Sequence, residues 1–102
     1  MNIVYLKNHG VEFINANKDI IIISPSIIKL PKKQLNNTKM TLYNESGHNV
    51  MIDVNSKTDL IYSQTYAPNG SKEIIIEPNR KFELVYINHM YSKVGKWYLS
   101  IF

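Results

Sequence analysis

The sequence predicts an all-β protein, a small antiparallel β-sandwich or jelly-roll-like barrel of about seven to nine short strands. Three observations support this fold class. β-Branched and aromatic residues, which favour strands, are abundant along the chain. Turn-forming glycine, proline and asparagine residues interrupt the apolar segments at short intervals. No segment keeps the 3.6-residue apolar period of a helix over three turns.

The first quarter of the chain predicts short strands without clean alternation. Segments 3–6 and 11–14 are candidate strands on either side of a glycine-bearing turn. Segment 20–24 is apolar on both faces, so it needs a cover on each side, either as a central strand or against a partner subunit. We expect one domain over residues 1–102, in which 1–24 form an arm or an added strand pair and 27–102 form the core sandwich.

From residue 39 onwards the alternation is cleaner. Segments 39–44 and 49–54 alternate, and the short turn between them predicts a β-hairpin. Further strands are expected at 59–63, 73–77, 81–87 and 97–102, and segment 66–70 is expected to be a loop. The residues that alternation places inward form the predicted core: Met40, Leu42, Val50, Ile52, Val54, Phe82, Leu84, Tyr86, Trp97 and Leu99.

Length and charge restrict the classes of partner. A chain of 102 residues is the size of one domain. The net charge of +4 comes from scattered lysines, whereas a nucleic-acid binder typically gathers its charge on one element. The longest apolar run, four isoleucines, is far shorter than a membrane span, and the N-terminus lacks the pattern of a signal peptide. We therefore expect neither nucleic acid nor a membrane as a partner.

The residues that usually carry catalysis are not arranged for it. The chain has no cysteine, which excludes disulfides, thiolate metal sites and a cysteine nucleophile. Glu73 and Glu77 would lie about 13 Å apart on one strand face, too far for a glycosidase pair. His9, His48 and His89 fall in predicted loops without paired metal-ligand spacing. We expect a non-enzymatic protein without metal or cofactor.

Two features point instead to contact with other proteins. The run of isoleucines at 20–23 would aggregate if its second face stayed exposed, so burial against a neighbour is one solution. Tyrosines in or near predicted loops are typical of binding surfaces. The candidate interaction residues are Ile20, Ile21, Ile22, Ile23, Tyr62, Tyr66 and Tyr91.

From residue 27 onwards the chain contains a series of short motifs in a recognisable order: Leu30-Pro31, Tyr43-Asn44, Ser46-Gly47, Val50-Met51-Ile52, Ile74-Ile75-Ile76, Pro78-Asn79, Phe82-Glu83-Leu84-Val85-Tyr86 and Trp97-Tyr98-Leu99. This order of elements resembles small β-sandwich modules of tailed-bacteriophage virions, which occur in fibres, tail appendages and capsid decoration proteins. The resemblance covers about three quarters of the chain. One departure is Asn79, where the family more often has glycine, although asparagine also tolerates left-handed φ.

The resemblance implies a virion structural protein made in the host cytoplasm, and the small size favours a capsid-associated auxiliary or decoration protein. Its partners would be major capsid or fibre proteins, and the chain would form a homo-oligomer, for which a trimer is one option. One alternative is a tail or head fibre module that binds a host receptor or glycan. Another is a cellular β-sandwich module for adhesion or carbohydrate binding.

Overall fold

The all-β prediction is confirmed by the structure, a computed structural model that describes residues 3–15, 19–32, 34–88 and 94–101. Eleven strands form two sheets within these ranges, two more than the upper limit of the prediction. The strands are β1 (Ile3–Leu6), β2 (Gly10–Phe13), β3 (Asp19–Ile22), β4 (Pro25–Lys29), β5 (Thr38–Asn44), β6 (Val50–Asp53), β7 (Leu60–Ser63), β8 (Ala67–Ser71), β9 (Glu73–Ile76), β10 (Lys81–Ile87) and β11 (Lys96–Ile101).

The chain alternates between the two sheets over its first seven strands. The seven-stranded sheet has the order β1-β3-β5-β10-β11-β7-β8, and the four-stranded sheet has the order β2-β4-β6-β9. Because each strand is followed by one in the opposite sheet, strands two apart in sequence run in the same direction. Parallel pairing therefore joins β1 to β3, β3 to β5, β2 to β4 and β4 to β6. The sheets are mixed rather than purely antiparallel.

The predicted hairpin of segments 39–44 and 49–54 is wrong. β5 pairs with β3 and β10, whereas β6 pairs with β4 and β9 in the other sheet. The turn between β5 and β6 therefore crosses the sandwich. Alternation could not reveal this, because two strands that face one core show the same pattern whether they lie side by side or face to face.

The predicted loop at 66–70 is also different in the structure, because Ala67–Ser71 forms strand β8. β8 pairs with β7 and is an edge strand of the seven-stranded sheet. Pro68 lacks a backbone N–H and suggested a loop, but an edge strand tolerates proline because one of its sides makes no ladder bonds. Pro68 and Gly70 thus mark a sheet edge.

The core lies between the two sheets and receives inward side chains from both. The ten residues predicted for the core are all buried. Trp97 packs against Tyr86 with ring centroids 4.9 Å apart, in the tilted arrangement that aromatic pairs favour. The N-terminal strands contribute as well, since Ile20 and Ile22 of β3 are 1% and 0% exposed. Residues 3–6, 10–13 and 19–22 therefore extend both sheets of the sandwich.

Asn44 ties the crossing turn to the rest of the sandwich. Its buried side-chain amide donates to the carbonyl oxygens of His48, Ile76 and Glu77 at 3.0–3.1 Å. Its Oδ1 accepts from the backbone N–H and the hydroxyl of Ser46 at 3.1 and 2.6 Å. One asparagine thus joins the end of β5 to the turn before β6 and to the end of β9.

Candidate functional site

The outer face of the four-stranded sheet carries a continuous row of aliphatic side chains. Strand register places Val11 beside Ile27, Ile27 beside Met51 and Met51 beside Ile75. We call these four residues the apolar row. With neighbouring strands about 4.8 Å apart, it spans about 14 Å across the sheet. Val11 and Ile75 are 46% and 54% exposed, and Ile27 and Met51 are half-buried.

A second row on the same face is mixed in character. Phe13, Lys29, Asp53 and Glu73 are neighbours in register, two residues along each strand from the apolar row. Lys29 forms an ion pair with Asp53. Phe13 is 65% exposed and extends the apolar surface at the β2 edge. Charged side chains of the second row therefore border the apolar row, whereas the four residues of the apolar row carry no charge.

A cleft opens on the seven-stranded sheet where β7 ends before β11. β7 pairs with β11 only from Leu60 to Tyr62 within the described residues, whereas β11 continues to Ile101. The cleft has a volume of about 640 Å³, and we call it the tyrosine cleft. Its lining consists of Tyr62, Ser63, Gln64, Thr65, Pro68, Tyr98, Leu99, Ser100 and Ile101.

Two tyrosines form the aromatic wall of this cleft. Tyr62 and Tyr98 are register neighbours, and their rings stack with centroids 5.7 Å apart. The Lys96 ammonium lies 5.3 Å from the Tyr62 ring centroid, a cation–π distance. Gly70, at φ +86°, lies so close to Tyr62 that a Cβ there would be 2.8 Å from the ring. These contacts hold Tyr62 in place, and Tyr98 remains 41% exposed.

The isoleucine run divides between the two faces of β3. Ile20 and Ile22 point into the core, so the interaction role predicted for them is wrong: a folded subunit leaves them no exposed surface. Ile21 lies on the outer face and is half-buried, with Tyr5 and Tyr43 as its neighbours in register. Ile23 is half-buried, and its N–H donates to the Leu6 carbonyl oxygen at 3.0 Å. The core therefore covers one face of this run, and the other face is half-buried within the folded subunit.

The three candidate tyrosines do not come together. Tyr62 lines the tyrosine cleft. Tyr66 lies after β7, and its hydroxyl donates to Glu77 Oε2 at 2.5 Å. The bond to Glu77, followed by burial, raises the pKa of Tyr66, and the same bond lowers the pKa of Glu77. Tyr91 lies outside the described residues.

One buried polar group lies near the end of the molecule that carries Trp97. The Asp59 carboxylate is 4% exposed and accepts the Gly95 N–H at 3.1 Å. Burial raises the pKa of Asp59, and the bond from Gly95 opposes that rise. Trp97 Nε1 and Asn88 Oδ1 are buried without a partner among the described residues. We assign no site to these groups.

The groups considered for metal binding and acid–base chemistry stay apart. Across the described ranges, no three histidine, aspartate or glutamate side chains approach closely enough to hold a metal ion. His48 and Glu73 are exposed, and His89 lies outside the described residues. Within those same ranges, no helix is long and apolar enough to cross a membrane.

Sequence reasoning missed most of the two surfaces. Ile75 occupies the centre of an isoleucine triplet, where alternation alone does not say which residue faces outward, and Met51 was not singled out as a contact residue. Tyr98 was not among the candidate interaction residues, because its place beside Tyr62 depends on a pairing across 36 residues. The alternation of Val50 and Ile52, both buried, was the available signal that Met51 points out.

Comparison with known proteins does not identify a family for this chain. Neither the models of protein families nor the curated proteins contain a match to this chain.

Proposed function

We propose that this protein is a non-enzymatic binding module that attaches to the surface of a protein shell through the apolar row. The observation that carries the proposal is the in-register arrangement of Val11, Ile27, Met51 and Ile75 on one outward sheet face. Isolated apolar residues on a surface need no explanation, but a contiguous patch marks a site of contact. A flat, aliphatic strip fits another protein surface better than a small polar ligand.

The size of the patch bears on how the module would attach. A standard stable interface buries about 800 Å² on each partner, and a strip about 14 Å wide with one flanking phenylalanine falls short of that. A single copy would therefore bind weakly. Several linked copies on a repetitive shell would bind much more tightly, because the later contacts become intramolecular. This reasoning supports a homo-oligomer, with a trimer as one form.

The setting we propose is the virion of a tailed bacteriophage. The order of elements from residue 27 onwards resembles virion β-sandwich modules, and the small size suits an auxiliary or decoration protein of the capsid. In this role the protein would be made in the host cytoplasm and would reinforce the assembled shell. Its mechanism would be adhesion, through apolar area buried on the shell surface.

Co-sedimentation with purified phage heads tests the proposal. Ile75→Lys places a charge in the apolar row at a side chain that is 54% exposed, so the fold should tolerate it. Ile3→Lys is the matched control, since Ile3 is 45% exposed but lies on the other sheet. We expect Ile75→Lys to reduce the bound fraction strongly and Ile3→Lys to leave it unchanged. Equal binding of both variants and the unmodified chain would refute the proposed surface.

A further inference from the structure

The tyrosine cleft lies on the opposite sheet from the apolar row and so is free in a protein attached through that row. Its volume of about 640 Å³ lies within the range of small-molecule sites, about 300–1,000 Å³. Its lining combines two tyrosine rings with serine, threonine and glutamine side chains. Among the described residues that line it, none carries a charged side chain.

The aromatic wall is held before any ligand arrives. Tyr62 is fixed between Tyr98, the Lys96 ammonium and the backbone of Gly70. Tyr98 stacks one ring face on Tyr62, so its remaining exposed surface belongs to a ring whose position is already set. Preorganisation of this kind raises affinity, because the side-chain entropy is lost on folding and not on binding.

Polar groups converge on the same space from two directions. The Ser63 hydroxyl oxygen already accepts the N–H groups of Thr65 and Tyr66 at 3.3 and 3.2 Å, which leaves its O–H available to donate. Ser100 of β11 is exposed and lines the same cleft. The edge of β11 from Leu99 to Ile101 also faces the cleft, beyond the last residue paired with β7. Hydroxyl, amide and backbone groups thus surround an aromatic platform.

We infer that the tyrosine cleft binds a neutral oligosaccharide, with one pyranose ring stacked on Tyr98 and its hydroxyls bonded to Ser63, Ser100 and the open edge of β11. The C–H face of a sugar ring carries slight positive charge and suits the negative face of a tyrosine ring. Sugar hydroxyls donate and accept at once, as do serine and threonine hydroxyls. The uncharged lining disfavours phosphates, carboxylates and ammonium groups, which need compensating charge when they lose water.

An extended peptide is the competing occupant, because the open edge of β11 offers backbone groups. That edge is only three residues long in the described chain, from Leu99 to Ile101, and the turn after β7 closes one end of it. Strands are usually about five or six residues long, so the edge offers few bonds to an added strand. The saccharide uses the tyrosine wall and the serine hydroxyls, which a backbone ladder would leave unused.

Titration of the ¹⁵N-labelled chain with cellohexaose, maltohexaose, chitohexaose and mannohexaose tests this inference. At least one of these should shift the amide signals of Gln64, Thr65 and Ser100 in a saturable way. Tyr98→Ala should then weaken the affinity for that sugar by about tenfold or more, because the platform is lost. Tyr98→Phe keeps the platform and should stay within about threefold of the unmodified chain. Tyr5→Ala is the control, since Tyr5 is exposed on the same sheet at its far edge.

Three results would overturn the inference. The first is the absence of saturable shifts with all four sugars at 10 mM, a concentration of about the weakest useful affinity. The second is an equal loss of affinity in Tyr98→Ala and Tyr5→Ala. The third is a saturable response of Leu99–Ile101 to the blocked peptide acetyl-Thr-Val-Thr-Val-Thr-amide but to no sugar, which would assign the cleft to strand addition. None of these outcomes depends on attachment through the apolar row.

Discussion

Replacing Asn44 with alanine should destabilise this protein more than any other single change at a polar residue of the crossing turn. The Asn44 amide has two N–H hydrogens directed at three carbonyl oxygens, and its Oδ1 accepts the Ser46 N–H. The two N–H donors and the Oδ1 acceptor together make at least three hydrogen bonds at a time, each of which contributes about 1 kcal/mol, and buried groups that lose their partner cost about 1–3 kcal/mol each. We therefore expect the free energy of unfolding to fall by about 3–5 kcal/mol, out of a typical total of about 5–15 kcal/mol.

Urea unfolding followed by tryptophan fluorescence measures this loss. Trp97 is the single tryptophan and is fully buried, so its emission reports on the core. The midpoint should fall while the slope with denaturant stays unchanged, because the surface exposed on unfolding is the same. Asn49→Ala, at an exposed asparagine of the same turn, should change stability by no more than about 0.5 kcal/mol.

A charged variant at the same position separates the donors of Asn44 from its acceptor. Asn44→Asp keeps the oxygen that bonds Ser46 but replaces both N–H donors with a carboxylate facing three carbonyl oxygens. It should be less stable than Asn44→Ala at pH 7. Because a buried carboxylate facing carbonyl oxygens has a raised pKa in the folded protein, part of the loss should be recovered as the pH falls through that raised pKa towards about 4, the value of the unfolded chain, since the protonated acid can donate again. A loss below about 1 kcal/mol for Asn44→Ala would refute the role of this asparagine in joining the sheets.

Three further predictions concern the cleft and the titrating groups. Gly70→Ala should lower the free energy of unfolding more than Gly47→Ala in the same urea assay. Both glycines have positive φ, but only at Gly70 would the added Cβ meet Tyr62. Equal losses in the two variants would contradict the packing described. The raised pKa of Asp59 means that the folded protein binds its proton more tightly than the unfolded chain, so the contribution of this group falls as the pH rises from the unfolded value towards the folded one. The stability of Asp59→Asn relative to the unmodified chain should therefore increase across that interval, and a flat difference would count against a buried carboxylate. Glu77→Ala should lower the pKa of Tyr66, measured by ¹³C NMR of the tyrosine ring, because the bond that favours the protonated phenol is removed; an unchanged value would mean that the bond does not form in solution.

The existence of most strands could be predicted because the local pattern decides it. Met40 and Leu42 alternate with polar residues, and so do Phe82 and Leu84, and all four face the core. The assignment of strands to sheets could not be predicted in this way. A strand such as β6 needs one apolar face in either sheet, and only the long-range pairing of Met51 with Ile75 and Ile27 decides its place.

The two candidate surfaces depend on this same long-range pairing. The apolar row draws one residue from each of four strands that span positions 11 to 75, so no local window of sequence contains it. The tyrosine cleft exists because β7 stops at Ser63 while β11 continues past Tyr98. Tyr62 could be selected from its position near a loop, whereas Tyr98, in the middle of an alternating strand, carried no such signal.

The isoleucine run shows where a sequence argument needed the topology. Because the run is apolar on both faces of the strand, the sequence indicated that both faces had to be at least partly buried. In the structure the core covers Ile20 and Ile22, while Ile21 lies in register between Tyr5 and Tyr43 and is half-buried. Ile21 and Ile23 are half-buried within the single subunit, so this run does not by itself require a partner subunit.

Hydroxyl-radical footprinting of the chain free and bound to phage heads tests the central claim most directly. Met51 lies in the apolar row and Tyr5 lies exposed on the other sheet, and both side chains react readily with oxidants. We predict that binding to heads reduces the modification of Met51 and Phe13 several-fold and leaves that of Tyr5 unchanged. Protection of Tyr5 with no change at Met51 would show that the protein attaches through the other sheet and would contradict the account.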